Sequence, residues 1–336
     1  MTYSPEWLIN SIDRSLDATT KRELKFAQVL PCISRNPSMI DWAFDTANQR
    51  FYSDKIRTIS RKYLAACPSD TAMNHLTNAR RDPKWMMSRR EESPIHYFWL
   101  SANPHQSAVR LIRDRMRFPM DESRDDSNVW MNMMCRNPAT EIVDEVVECF
   151  HHTDETQLIF DIDANYSLDR NAIHLGKFAS NPSAAGWVID NLREYFESDD
   201  DRYSVLWKGL SNNPNPTAIE YMYDHPNRVD MVRIAENPNL EAIALMQDLN
   251  DDPHSWNWRN LSYNPAAIGL LKQHEDLIDY EWLGANPHPW AIKRFHKWFI
   301  ANARLHKNKR VLNNALALMV KWNFRDAWRH QWVSFN

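Results

Sequence analysis

The stretch Leu261-Ser262-Tyr263-Asn264-Pro265-Ala266-Ala267-Ile268 recurs along the chain, each time around an Asn-Pro pair or a close equivalent. Other copies read Leu100-Ser101-Ala102-Asn103-Pro104, Leu210-Ser211-Asn212-Asn213-Pro214 and Leu283-Gly284-Ala285-Asn286-Pro287. Self-similarity in a fixed register is typical of repeat architectures, so this Asn-Pro motif decides the fold class. The nine copies have their prolines at Pro37, Pro68, Pro104, Pro138, Pro182, Pro214, Pro238, Pro265 and Pro287.

Apolar and small residues occupy fixed positions when the prolines are aligned. The fourth residue before the proline is always apolar, the third before it is always small, and the fifth after it is always apolar. The seventh residue before the proline is also apolar, with Arg61 as the exception. Because these two apolar positions before the proline lie one helical turn apart, we predict an amphipathic helix there. The fourth residue after the proline, usually small, and the apolar fifth are predicted to face inward from a second helix.

The asparagine between the two predicted helices is interpreted as a helix N-cap. Its side-chain oxygen would accept a hydrogen bond from a free backbone N–H of the second helix. The proline suits the first helical position, where an N–H is not needed. In the Pro68 copy, Cys67 replaces the asparagine. The predicted caps are Asn36, Asn103, Asn137, Asn181, Asn213, Asn237, Asn264 and Asn286.

Each unit is therefore predicted to be a helix, a tight turn and a second helix. Two short amphipathic helices cannot bury their apolar faces alone, so neighbouring units must stack. The predicted fold class is all-α, an α-solenoid of about nine irregular helix-turn-helix repeats with terminal capping helices. The predicted domains are N-terminal capping helices at 1–30, the Asn-Pro repeat solenoid at 31–300 and a C-terminal capping helix at 301–336.

Two known repeat families resemble these phrases. Trp258-x-x-Leu261-Ser262-x-Asn264-Pro265 resembles the Leu-Ser-x-Asn-Pro-x-Ala-Ile repeats found in many proteins of giant viruses and some phages. The phrase Ile234-Ala235-x-Asn237-Pro238 is similar to the leucine-rich-repeat-variant motif. The resemblance implies a binding scaffold, and one use it suggests is a viral or phage protein that engages a host factor. The distance between successive prolines varies from 22 to 44 residues, which departs from both families.

Composition excludes several other classes of protein. Five glycines in 336 residues argue against sheet-and-turn folds and glycine-rich phosphate loops. No Walker loop, dinucleotide fingerprint, nucleophile elbow or HExxH motif is present. His151-His152-x-Asp154 is the one candidate metal cluster, but adjacent histidines on a helix point about 100° apart. We therefore expect no enzyme activity, no cofactor and no metal.

Cysteine usage and hydropathy bear on location. Four cysteines without metal-ligand spacing are interpreted as free thiols in a reducing compartment. No apolar run approaches the length of a membrane span, and the first residues lack a basic-then-apolar signal pattern. The expected location is the cytoplasm, or the cytoplasm of a host, with no membrane partner.

Charge is distributed unevenly along the chain. Residues 141–201 hold fifteen acidic residues against three basic ones, whereas residues 282–325 hold nine basic residues and no acidic one. Basic residues interleaved with aromatic ones are typical of surfaces that bind phosphate backbones and bases. The solvated outer face of a capping helix accounts for the same pattern. The candidate anion-binding residues are Lys293, Arg294, Lys297, Arg304, Lys307, Lys309 and Arg310.

Three hypotheses for function follow from these patterns. The first is a non-enzymatic scaffold that binds a protein partner. The alternative is a nucleic-acid or other polyanion binder that uses the basic C-terminal third. The third is a small-molecule sponge or a cryptic enzyme with a pocket between helices, which a well-formed pocket lined by arginine and tryptophan would support.

Overall fold

The computed structural model describes residues 64–81, 97–117, 131–152, 158–159, 173–198 and 200–305. In these ranges the chain is helical apart from one pair of two-residue strands, which agrees with the predicted all-α class. The α-helices are α1 (Asp70–Arg81), α2 (Tyr97–Leu100), α3 (Gln106–Arg117), α4 (Met131–Met134), α5 (Thr140–Phe150), α6 (Leu175–Ala179), α7 (Ala185–Asn191), α8 (Arg193–Glu197), α9 (Ser204–Ser211), α10 (Pro216–Asp224), α11 (Met231–Ile234), α12 (Leu240–Leu249), α13 (Trp258–Tyr263), α14 (Ile268–Gln273), α15 (Tyr280–Leu283) and α16 (Pro289–Leu305).

Shorter elements connect these helices. The strands β1 (Leu158–Ile159) and β2 (Ile173–His174) pair in parallel. Single 3-10 turns lie at Pro182–Ala184, Asp201–Tyr203, Pro226–Arg228, Pro253–Ser255, Pro265–Ala267 and Glu275–Leu277.

The described residues belong to two compact units, residues 64–254 and residues 255–305. Within the first unit, the helices that precede successive motifs contact one another, as α6, α9 and α11 do. The helices that follow the motifs also contact one another, as α7, α10 and α12 do. In the second unit, α13 contacts α15 in the same way. In neighbouring motifs, first helices thus pack against first helices, and second helices pack against second helices.

The core of each unit follows the register of the motif. The fourth residue before the proline is at most 1 % exposed in all eight copies that fall within the described residues. The small residue at the third position is buried in the same eight copies. In the second unit this core includes Leu271, Leu283 and Phe295, with the half-buried Trp258 and Trp298 packed against it. Burial of these positions is what the helical spacing predicted.

The second helix departs from the predicted register in two copies. Gly186 and Gly269 occupy the fourth position after the proline, which was predicted to face inward. In the structure, however, a Cβ added at either glycine would meet nothing within 4 Å. The reason is local, because a 3-10 turn follows the proline directly in these copies and shifts the phase of the helix. Ala184 and Ala267, two residues earlier, are buried instead.

Helix α16 runs from Pro289 to Leu305 and so continues through the predicted domain boundary at residue 300. The predicted N-terminal capping helices at 1–30, the Asn36 copy and residues 306–336 lie outside the described residues. Among the helices that the structure describes, none combines the length and the apolar composition needed to cross a membrane.

Candidate functional site

In six of the seven described Asn-Pro motifs, a buried side-chain amide forms hydrogen bonds to the motif before it, as Asn213 illustrates. Its Nδ2 donates to the backbone oxygens of Ala179 and Asn181, at 2.7 and 3.0 Å. Its Oδ1 accepts from the backbone N–H of Asn215 at 2.9 Å. The side chain is completely buried. Both N–H groups of this one amide thus find carbonyl acceptors in the preceding motif, and its oxygen finds an N–H donor in its own turn.

The same three bonds recur in other copies. In each copy, Nδ2 donates to two backbone carbonyl oxygens of the preceding motif. One carbonyl belongs to the small residue of that motif, and the other belongs to its asparagine or, in the Pro68 copy, to Cys67. The bonded pairs of carbonyls belong to Ala65 and Cys67 for Asn103, to Ser101 and Asn103 for Asn137, to Cys135 and Asn137 for Asn181, to Ser211 and Asn213 for Asn237, and to Ser262 and Asn264 for Asn286. We call these six donor asparagines (Asn103, Asn137, Asn181, Asn213, Asn237 and Asn286) the asparagine ladder.

The ladder satisfies groups that helix ends leave without partners. The last carbonyl groups of a helix have no intrahelical donor, and the first N–H groups of the next helix have no intrahelical acceptor. At Asn213, Nδ2 serves the carbonyls at the end of α6, while Oδ1 serves an N–H that precedes α10. Because buried backbone groups without partners destabilise the fold, the ladder makes these tight turns possible inside the core.

Among the described copies, the motif asparagine is itself the N-cap residue in two. Asn181 and Asn264 are themselves N-cap residues, since Oδ1 accepts from the N–H of Ser183 and of Ala266. In the Asn213 and Asn237 copies the helix begins later, and the N-cap residues are Asn215 and Asn239. In the Asn137 copy the N-cap residue is Ala139, which makes no side-chain cap.

The turns of the Asn103 and Asn286 copies also extend beyond the asparagine. There Oδ1 accepts from the N–H of His105 and of His288, and each histidine Nδ1 accepts in turn from Ser107 or Trp290. The prediction that the motif asparagine is itself the cap residue therefore fails in these copies and in those of Asn137, Asn213 and Asn237. The chain takes two further residues to reach helical geometry after the proline.

A second row of bonds runs beside the ladder in three consecutive copies. Ser183 Oγ donates to Pro138 O at 2.7 Å, Asn215 Nδ2 to Pro182 O at 2.8 Å, and Asn239 Nδ2 to Pro214 O at 3.0 Å. The donors Ser183, Asn215 and Asn239 directly follow Pro182, Pro214 and Pro238. The carbonyl of the preceding motif's proline is therefore satisfied as well.

The small residue before the asparagine has a polar role in two copies. Ser211 Oγ accepts from the backbone N–H of Asp230, and Ser262 Oγ accepts from that of Asp279, both at 2.9 Å. Asp230 and Asp279 in turn cap helices α11 and α15. The serine therefore fixes the point at which the first helix of the next motif begins, in addition to allowing close packing.

The proline after each ladder asparagine should protect the amide chemically. Deamidation begins when the backbone nitrogen of the next residue attacks the side-chain amide carbon, and a prolyl nitrogen has no hydrogen to lose. We expect the ladder asparagines to remain intact during alkaline incubation in urea, while Asn227 and Asn250 convert to aspartate. Peptide mapping by mass spectrometry measures this, with Pro214→Ala as the variant that should expose Asn213. Equal rates at Asn213 and Asn250 would contradict the expectation.

The basic candidate residues are only partly available. Lys293 and Lys297 are exposed and lie four residues apart on α16. Arg294 is already engaged, because Nη2 pairs with the Glu275 carboxylate and Nε donates to the Tyr280 hydroxyl at 3.1 Å. Arg304 belongs to the last turn of α16. Lys307, Lys309 and Arg310 lie outside the described residues, so the structure brings together two exposed lysines of the predicted anion site.

Four second helices of the first unit, those that follow Pro138, Pro182, Pro214 and Pro238, contribute to an acidic surface. Helices α5, α7, α10 and α12 contain no lysine or arginine. We call their nine carboxylates the acidic helix set: Glu141, Asp144, Glu145, Glu148, Asp190, Glu220, Asp224, Glu241 and Asp248. Arg113 of α3 neutralises one of them through a 3.0 Å ion pair with Glu145. The pKa of Tyr223 on α10 is raised by partial burial and by the carboxylates of Asp248 and Glu241.

Large apolar side chains are exposed beside these carboxylates. Leu240 at the start of α12 is 71 % exposed, and Tyr223 on α10 is 46 % exposed. Most large apolar residues on these helices are buried, as Ile219, Met222 and Ile243 are. The solvent side of α10 and α12 therefore combines negative charge with apolar contact area.

The sulfur and imidazole groups show no reactive arrangement among the described residues. Burial raises the pKa of the Cys135 thiol to about 12, so this group stays protonated. Cys67 is buried and Cys149 half-buried, and neither forms a disulfide. His152 lies near the Glu148 carboxylate, and no group of three metal-ligating side chains occurs in the part of the chain that the structure describes. Asp154, the third residue of the candidate metal cluster, lies outside that part.

Comparison of the chain with protein-family models, with curated proteins and with solved structures gives no match. The resemblance to viral Asn-Pro repeats and to leucine-rich-repeat variants therefore stays a prediction.

Proposed function

We propose that this chain is a non-enzymatic α-solenoid scaffold that binds a basic protein partner in a cytoplasm. The asparagine ladder supports the repeat architecture, because the same buried bonds join successive motifs of different length. In repeat proteins each unit contacts its neighbours through a constant interior, while the exposed side chains are free to vary. The polar residues of the motif form hydrogen bonds within this interior. We therefore expect a partner to bind the exposed faces of the helices.

The acidic helix set is the observation that carries the choice of partner. Charge complementarity accelerates association and selects partners, and exposed apolar side chains supply contact area. Helices α10 and α12 offer both, with Glu220 and Asp248 beside Tyr223 and Leu240. A phosphate backbone would be repelled by this surface, whereas a patch of lysine and arginine would be attracted.

Affinity purification of the tagged chain from its native cells, with and without nuclease, tests this proposal. The matched variant reverses four exposed charges through Glu220→Lys, Asp224→Lys, Glu241→Lys and Asp248→Lys. We expect a stoichiometric basic protein that survives nuclease with the unaltered chain and is lost with this variant. Retention of every partner by the variant would exclude the acidic surface as the binding site.

The alternative function is binding of nucleic acid through α16. Lys293 and Lys297 favour it, since both are exposed and α16 contains no acidic residue. This hypothesis predicts that affinity for a short single-stranded DNA falls steeply as salt increases. Lys293→Glu with Lys297→Glu should abolish that binding, while the fourfold variant of α10 and α12 should leave it intact. Binding that does not change with salt would reject this alternative.

A further inference from the structure

A cleft of about 240 Å³ opens in the first unit, and none of the residues that line it belongs to the acidic helix set or to the ladder. One side is formed by the end of α8, the 3-10 turn Asp201–Tyr203 and the start of α9. The other side is formed by the turn that leads from α10 into α11, which includes Arg228 and Asp230. A volume of this size admits a small organic molecule of one ring and a short side chain.

The floor of the cleft is aromatic and fixed in place. Tyr203 is 9 % exposed and Trp207 is 6 % exposed, so each presents a small part of its surface to the cleft. Trp207 Nε1 donates to the Phe196 carbonyl at 3.4 Å, and the Tyr195 and Tyr203 rings lie 4.8 Å apart. A ligand body that contacts this floor must be apolar or aromatic.

Two of the three carboxylates at the cleft are already used by the protein. Asp200 pairs with Arg202 at 2.7 Å, and the hydrogen bonds from Arg202 lower the pKa of its carboxyl. Asp230 accepts from the backbone N–H groups of Val232 and Arg233 as the N-cap of α11. Asp201 is exposed and remains available at the rim.

The ammonium group of Lys208 is a cation of the cleft that forms none of these ion pairs. Lys208 is half-buried on α9, and no carboxylate among the described residues forms an ion pair with it. A partly buried cation in a cleft is a site for an anion, because an ion pair there is less screened than at an open surface. Arg228 on the facing turn adds positive potential to the same space.

We propose that this cleft binds a small carboxylic acid with an aromatic or apolar body. The ligand carboxylate pairs with Lys208 Nζ, and its body lies against Tyr203 and Trp207. Two sources share this chemistry, a simple aryl-alkyl acid and an aromatic amino acid. An amino acid would in addition place its ammonium group near Asp201. This site is independent of the proposed scaffold function.

Ligand-observed NMR with 3-phenylpropionate and with L-phenylalanine tests the proposal on the full chain. We expect saturable binding of at least one probe, weakened about tenfold or more by Lys208→Met, which keeps the length of the side chain but removes its charge. Lys272→Met, which removes an exposed lysine of α14 outside the cleft, is the matched control and should leave the affinity unchanged. Circular dichroism of each variant confirms that the helices are retained.

The two probes separate the two ligand sources. Equal affinities that do not respond to Asp201→Asn indicate a simple acid, whereas tighter binding of phenylalanine that Asp201→Asn removes indicates an amino acid. Absence of binding by both probes up to about 10 mM would overturn the proposal, since that is weaker than any functional site of this kind. Binding that Lys208→Met leaves unchanged would overturn it equally.

Discussion

Asn213→Asp is expected to lower the free energy of unfolding by about 4 kcal/mol near neutral pH. The carboxylate keeps the oxygen that accepts from Asn215 but loses both donors to Ala179 O and Asn181 O. Each buried carbonyl left without a donor costs about 1–3 kcal/mol, and a buried negative charge facing two carbonyl oxygens adds to this. Urea titration of the variant and the unaltered chain measures the difference.

The loss should depend on pH in a defined direction. Burial beside two carbonyl oxygens raises the folded-state pKa of the introduced carboxyl above its unfolded value of about 3.9. The folded variant then holds its proton over a pH range in which the unfolded chain has released it. The deficit is therefore smallest below about pH 4 and grows as pH rises through the folded-state pKa.

Asn257→Asp is the matched control for this substitution. Asn257 caps α13 by accepting from the N–H of Asn260, and its Nδ2 donates to none of the described residues. Because aspartate caps helices as well as asparagine does, we expect a change within about 0.5 kcal/mol. If Asn213→Asp proved as mild as this control, the two hydrogen bonds donated by Asn213 Nδ2 would contribute nothing measurable to stability.

Gly209→Ala is the second substitution with a large expected effect. A Cβ at Gly209 would lie 2.5 Å from Gly176 O and 2.7 Å from Ala179 Cβ, where α9 crosses α6. The first of these contacts is with backbone, which cannot move aside as a flexible side chain can. Helix α9 would have to shift away from α6, so we expect a loss of about 3 kcal/mol in the same urea titration.

Gly269→Ala and Gly186→Ala should act in the opposite direction. Both glycines lie within helices, and an added Cβ there meets nothing within 4 Å. Alanine is favoured over glycine inside a helix by up to about 1 kcal/mol, so each change should stabilise the chain modestly. A stabilising Gly209→Ala, or a strongly destabilising Gly269→Ala, would contradict the packing described above.

The register of the first helix could be predicted from the sequence because the same position of the motif is buried in each described copy. Leu100, Leu210 and Leu283 occupy the same position and are all completely buried. The phase of the second helix could not be predicted with equal accuracy. Whether the helix starts at the proline or two residues later depends on local turn geometry, and the residue after the proline, Asn215 or Ser183, gives only a weak indication of it.

The donor role of the ladder was missed, although the sequence contains a signal for it. Helix N-caps accept serine, threonine, aspartate and asparagine almost equally. Eight of the nine copies have asparagine, and Cys67 is the exception. Such uniformity indicates that the side chain must donate as well as accept, which only the amide can do with two N–H groups. The partners of these donors are carbonyls of the preceding motif, 22 to 46 residues away, and spacing within one copy could not identify them.

The surface charges illustrate a different limit of sequence reasoning. The acidic character of residues 141–201 was evident, but its continuation onto α10 and α12 depends on which helices lie side by side. The basic segment was also evident, yet Arg294 is engaged by Glu275 and Tyr280. Formal charge along a chain therefore overestimates the charge that a partner can reach.

Hydrogen exchange of the asparagine side-chain amides tests the central claim most directly. In a sample labelled with ¹⁵N at asparagine only, NMR resolves the Nδ2 protons of each residue. The ladder predicts that those of Asn137, Asn213 and Asn237 exchange only through unfolding, while those of Asn257 exchange rapidly. Rapid exchange at the ladder positions in the folded chain would show that no such bonds join the motifs.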